Sequence, residues 1–341
     1  MRNTTYLLVF LVFMGCVEKK RTNAFTSVKV ETILEDSLSI RAIELMDNSL
    51  AFATNKGTFG NIDLTTNKLR INIQQYDSIL PEFRAVAHTA SDFFMLSVAS
   101  PALLYKTGDS GMELVYKEEG ENVFYDAMTF WNNQEGIAMG DTVDGCLSII
   151  ITRDGGQSWN KIPCSELPKG MEAEGAFAAS NTNIKTLGDK AWIATSSSRI
   201  YYSADKGKTW DVFTTPIVKD KPTQGIYSID FYNESLGIAI GGDYTNPDDN
   251  KSNKTITRNG GRTWKLIADG QEPDYKSCIQ FVPNTNGKGI VALGFTGVSY
   301  SSNMGDNWSK LSDESFYTLR FMNDSIAYAA GKNRIAKLTF K

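Results

Sequence analysis

The stretch Thr152-Arg153-Asp154-Gly155-Gly156-Gln157-Ser158-Trp159 decides the fold, because its outline returns along the chain. It recurs as Ser203-x-Asp205-x-Gly207-x-Thr209-Trp210, Thr257-x-Asn259-x-Gly261-x-Thr263-Trp264 and Ser301-x-Asn303-x-Gly305-x-Asn307-Trp308. A degraded copy, Thr107-x-Asp109-x-Gly111-x-Glu113-Leu114, precedes them. Successive glycines at 111, 156, 207, 261 and 305 stand 45, 51, 54 and 44 residues apart. That period fits one four-stranded propeller blade per repeat.

Each residue type has a mechanical reason to be there. Asp or Asn accepts hydrogen bonds from backbone N–H groups two residues on, glycine supplies a positive φ, and the hydroxyls tie the ends of the turn together. The tryptophan buries roughly 150–250 Å² between blades, an upper estimate of about 4–6 kcal/mol. Asp154, Asp205, Asn259, Asn303 and Trp159, Trp210, Trp264, Trp308 therefore read as staples. A set repeated around a ring is not a one-copy acid/base site.

A second signal comes before each turn: an alternating apolar strand, a polar corner, then a strand of small residues. Phe124–Phe130 followed by Gly136–Asp141, and Tyr227–Phe231 followed by Gly237–Gly242, show it best. The outline returns at Arg41–Thr54, Arg84–Ser97, Glu174–Thr195, Lys276–Gly294 and Tyr317–Gly331, giving seven copies. The last ends after Arg334–Phe340, one strand short, while Thr26–Thr32 is an unused strand at the other end of the chain. The sequence thus specifies an all-β, seven-bladed β-propeller over residues 26–341, closed by its N-terminal strand, which would also cover an exposed edge.

In such a blade the repeated turns lie on the bottom, and the starts of the inner strands share the top face with the ends of the second strands. Aligning the copies puts Arg41, Arg84, Asp126, Glu174 with Gly175, Tyr227, Lys276 with Ser277, and Tyr317 at that mouth, joined by Asp141, Asp243 and Tyr244. These are the candidate ligand-binding residues. No catalytic residue is assigned.

Composition narrows the function classes. Hydrophobic residues make up 41% and charged residues 22% of the 341, which excludes a disordered or multi-spanning chain. Thirty-five basic against thirty-nine acidic side chains give −4, so no basic field exists for nucleic acid. The single histidine, His88, excludes a multi-histidine metal site and sits toward the bottom end of its strand, away from the mouth. No metal and no cofactor is implied.

At the N-terminus Arg2 precedes an apolar run from Tyr6 to Met14 and then Gly15-Cys16. Nine apolar residues rise about 14 Å as a helix, too short for a roughly 30 Å hydrocarbon core, so residues 1–16 read as a signal peptide. A small residue before cysteine resembles the bacterial lipobox, which makes Cys16 the lipidated residue and 17–25 a tether. The address is then the bacterial cell envelope, with membrane contact through the lipid anchor only. Export permits disulfides. Cys146 and Cys164 flank the turn near residue 155 and would lie nearly opposite each other, whereas Cys278 sits in an apolar alternating run as a buried thiol.

The motifs Phe83-Arg84-Ala85-Val86, Phe124-Tyr125-Asp126-Ala127, Met139-Gly140-Asp141, Glu174 to Ser180, Gly241-Gly242-Asp243-Tyr244 and Tyr275-Lys276-Ser277 add to the turns. With them, residues 35–341 resemble a bacterial group of BNR-repeat (Asp-box), WD40/YVTN-like propellers related to photosystem II stability/assembly factors. The resemblance implies a binding or assembly module acting through its top face on an envelope protein or a small polar ligand. Relatives in photosynthetic organisms look like assembly chaperones with an arginine patch, to which only Arg41 and Arg84 correspond. Members are also often named oxidoreductases, yet the chain has no Gly-x-Gly-x-x-Gly between strand and helix and no Cys-x-x-Cys. The enzymatic alternative is a sialidase-like glycoside hydrolase. Arg41, Arg84, Asp126, Glu174, Tyr227 and Tyr317 would furnish parts of its site, but a third convergent arginine is missing.

Overall fold

The computed structural model describes residues 24–341; Cys16 and most of the expected tether lie outside the described residues. Seven antiparallel sheets follow one another along the chain. The inner strands begin at Ala42, Phe83, Tyr125, Ile184, Gln224, Cys278 and Thr318 and touch in cyclic order, with Ala42–Met46 against Thr318–Phe321 completing the circle. This is a seven-bladed β-propeller, numbered here as blades 1 to 7 in that order.

Blade 7 joins the two ends of the chain. Ile326–Phe340 doubles back at Asn333, whose φ is 66°, bringing the Phe340 N–H onto the Ser325 carbonyl. Val28–Ser39 then pairs antiparallel along it, with Val28 opposite Phe340 and Ser39 opposite Lys332. That strand runs past the Thr26–Thr32 segment singled out in the sequence. Phe25, assigned there to the tether, is packed: its ring lies 4.6 Å from Tyr300 and 5.1 Å from Phe340.

The core lies between blades as seven apolar layers. Small and β-branched residues of the second strands, such as Gly136-Ile137-Ala138-Met139-Gly140, are fully buried where blades converge. At Gly140 a Cβ would stand 2.1 Å from the Phe124 carbonyl, so only glycine permits that approach.

The repeated turn works somewhat differently from the sequence expectation. The N–H two residues after Asp154 is bonded not by its carboxylate but by the Thr152 hydroxyl, at 2.9 Å from Gly156 N. Asp154 instead reaches forward to Ser158 N (3.0 Å) and Oγ (2.6 Å). Asp205 bonds Thr209 in the same way, and Asn259 and Asn303 accept from Thr263 N and Asn307 N. Glycines 156, 207, 261 and 305 have φ between 80° and 87°, the left-handed region that glycine enters without cost. A disulfide joins Cys146 and Cys164, Cα atoms 5.6 Å apart, and Cys278 is a buried free thiol.

Candidate functional site: the mouth of the channel

The channel is not open. Blade 4 was expected to start its inner strand at Glu174, but that strand begins at Ile184, and residues 175–183 cross the axis as an irregular plug. The run Ala176 to Ser180, small apart from Phe177, resembles a strand in sequence; those short side chains instead let the backbone thread between seven converging blades. Asn181 accepts from Met128 N at 2.9 Å and donates to Val86 O at 2.7 Å. Ser180 donates to Ser277 O (2.7 Å) and its carbonyl accepts from Thr318 Oγ1 (2.8 Å). Thr182 bonds Ser228, and Arg320 and Arg41 reach the carbonyls of Asn181 and Ala179. The plug thereby bonds to blades 1, 2, 3, 5, 6 and 7, which satisfies backbone groups that would otherwise be buried without partners.

Above the plug lies a cavity of about 560 Å³ whose wall includes Arg41, Arg84, Asp141, Tyr227, Tyr244, Ser277 and Tyr317. Seven of the residues expected at the mouth therefore do meet there. Sequence reasoning missed Phe124, Phe177, Tyr275 and Phe295, which also line it. Phe177 stacks on Tyr227 at 3.8 Å, Tyr275 packs edge-on to Tyr227 at 4.8 Å, and Phe295 lies 5.2 Å beyond. Tyr275 and Phe295 sit immediately outside the strand ends that the copies align; an aromatic at both places was the available signal.

Four expected residues do not face the cavity. Glu174 is buried to one side, where it accepts from Thr195 Oγ1 (2.7 Å), Tyr201 OH (3.0 Å), Met171 N (2.9 Å) and Arg199 (3.0 Å). Both carboxylate oxygens are engaged, so it clamps the plug's base. Lys276 is wholly buried against Asp274 and Thr296. Asp243 bonds Thr245; burial raises its pKa but those hydrogen bonds more than offset this, leaving it at about 2. Asp126 is 0% exposed, and neither carboxylate oxygen has a hydrogen-bond partner. Burial, and next the charge of Asp141, push its carboxyl well above the usual range. Asp141 is raised by burial too, while the Ala176 N–H it accepts at 3.2 Å pulls it back.

The two arginines differ. Arg84 is paired with Glu82, its Nη2 at 2.6 Å. Arg41 forms no ion pair among the described residues; its guanidinium lies 4.2 Å over the Tyr317 ring and touches only the Ala179 carbonyl, at 3.5 Å. Burial, then repulsion from Arg84, lower its pKa. The cavity thus offers one uncompensated cation on an aromatic wall, suited to an anionic group attached to an apolar or planar one. The arrangement a sialidase would need is absent, because Glu174 and Asp126 do not face this cavity. Among the described residues no cluster of three or more potential metal ligands occurs.

A seven-bladed propeller with an aromatic, arginine-bearing mouth is the class that fold and site define. Its comparisons agree on the architecture. The family model for sortilin, neurotensin receptor 3, matches residues 147–286. No curated protein matches the chain in sequence. Among solved structures, YCF48 bound to D1 peptide superimposes with a TM-score of 0.66 at 12% identity, covering 93% of this chain and 97% of that one. The RRP9 WD40 repeats give 0.66 at 11%, covering 94% and 99%, and YCF48 from Cyanidioschyzon merolae gives 0.62 at 10%, covering 92% and 98%. At these identities the likeness is one of fold.

Proposed function

We propose that this chain is a binding and assembly module of the bacterial cell envelope. It is exported by residues 1–16, held by a lipid on Cys16, and takes a segment of a partner protein into the mouth cavity. The observation that carries the reading is Arg41, a guanidinium held in the cavity without a counter-ion. Leaving such a charge half-buried costs stability, and an anionic ligand offsets that cost. The peptide held by one structural neighbour, YCF48, supports a protein segment over a small solute.

The test is purification from envelope extracts with the parent chain and with Arg41→Ala/Arg84→Ala. One partner retained by the parent and lost by the double variant, both melting alike, supports the reading. A partner retained equally by both overturns it. Globomycin-sensitive processing and loss of membrane association in Cys16→Ser test the anchor.

A further inference from the structure

The inter-blade layers are filled by a rule with one exception. Register places the tryptophan of each repeated turn opposite the hydroxyl residue that begins it: Ile151 pairs with Asn160, Tyr202 with Asp211, Ile256 with Lys265 and Tyr300 with Ser309. From there Trp159 enters the layer between blades 2 and 3, Trp210 that between 3 and 4, Trp264 that between 4 and 5, and Trp308 that between 5 and 6. Phe25 plays this part between blades 6 and 7, and the aliphatic Ile33 and Leu64 do so between 7 and 1.

Between blades 1 and 2 no tryptophan fills the place, and the smaller Met112 packs against the layer there. The degraded copy forms a tight hairpin in which Gly108 faces Gly111 and Thr107 faces Met112. Met112 therefore holds the tryptophan's register position, and Leu114 points outward, 40% exposed. What remains is a cavity of about 350 Å³ lined by Met46, Phe59, Ile71, Phe93 and Met112. That volume lies in the range of ligand pockets.

Beside it runs an unusual edge. Leu69–Ile73 is the outer strand of blade 1, paired on one side only, and its alternate residues Leu69, Ile71 and Ile73 are 40%, 43% and 60% exposed. The outer strands Asn160–Lys161 and Ser309–Ser312, by contrast, are short and largely polar, and Val212 and Phe213 of Asp211–Thr214 are partly buried. An apolar free edge is a template for strand addition, which proteins ordinarily blunt.

We propose that this socket binds a tryptophan side chain of a partner protein, delivered on an extended segment that pairs with Leu69–Ile73. The occupant's chemistry is read from the molecule itself, since four equivalent sockets hold an indole. The site lies on the turn-bearing side of the ring, opposite the mouth, and does not depend on the function proposed above.

The test uses the full chain with the capped pentapeptide Thr-Val-Trp-Val-Thr, its Trp-to-Ala counterpart and N-acetyl-tryptophanamide, titrated by calorimetry. The tryptophan peptide is expected to bind at least about tenfold more tightly than either control. Ile71→Asp, at an exposed position, should weaken it about tenfold, and Met112→Trp should abolish binding while raising the melting temperature. Equal affinity for the alanine peptide, or binding unchanged in both variants, overturns the proposal. So does N-acetyl-tryptophanamide binding as tightly as the peptide, which would make the socket a site for aromatic solutes. A parent dimer that Ile71→Asp dissociates would assign the edge to a second copy and overturn it equally.

Discussion

Asp154 and Asp126 are the same residue on opposite faces of blade 3, and their environments pull them in opposite directions. Burial raises Asp154, but Ser158 and Thr152 more than offset it, and its pKa falls below the ordinary value. Asp126 has no such partners and is driven up. The turn-bearing rim satisfies its Asp and Asn side chains with their own neighbours and repeats the solution; the hub uses each residue once and leaves Arg41 without a counter-ion and Asp126 without a hydrogen-bond partner. What recurs in this chain is scaffold, and what departs from recurrence is where partners are to be sought.

That contrast can be broken at several points. The largest effect should come from removing residues 24–33, which strips Phe25 and half of the outer strand from blade 7; the expected result is loss of the cooperative thermal transition, and an unchanged melting temperature would show that the seam is dispensable. Trp159→Ala on the rim should cost about 3–5 kcal/mol in urea unfolding, with ligand capture at the mouth retained in the folded protein. Asn181→Ala should cost less, about 2–3 kcal/mol, because it orphans the Met128 N–H and the Val86 carbonyl. Unlike the rim variant, it should also impair capture by loosening the cavity floor.

A pH series sharpens the comparison further. The raised Asp126 carboxyl keeps its proton in the folded state where the unfolded chain, with a carboxyl near 3.9, has released it. The folded state then binds more protons, so the parent loses stability as pH climbs from about 4 toward the raised value. Asp126→Asn should therefore gain melting temperature over the parent between pH 4.5 and 7.5, whereas Asp154→Asn should show no such gain. A difference for Asp126→Asn that stays constant with pH would refute the protonation argument. Smallest of all, Arg41→Ala should leave stability within about 0.5 kcal/mol or improve it, while abolishing capture.

The propeller was legible because its cause is local: a hydroxyl, an Asp or Asn, a glycine and a tryptophan at fixed spacing make the same corner wherever they occur. The mouth was legible in part for the same reason, since Arg41, Arg84, Ser277 and Tyr317 occupy equivalent ends of aligned strands. Glu174 was misplaced because the alignment assumed that a run of small residues is a strand. The plug has that composition for a different reason, the crowding of an axis that only tertiary structure creates. Lys276 and Asp243 were assigned by position, but their partners, Asp274 with Thr296 and Thr245, sit in loops that no periodicity aligns. The socket without a tryptophan was half visible: the degraded copy was plain, but that Met112 and not Leu114 takes the tryptophan's place follows from a hairpin register.

The plug also imposes an order of events. Ser180 is held by Ser277 and Thr318, residues 97 and 138 positions further along the chain. A chain emerging from the ribosome can make its early blades in turn, but it cannot seat the axial segment until the last of them has arrived. The floor on which Arg41 rests is thus completed at the end of folding, so an unfinished chain lacks the finished mouth cavity.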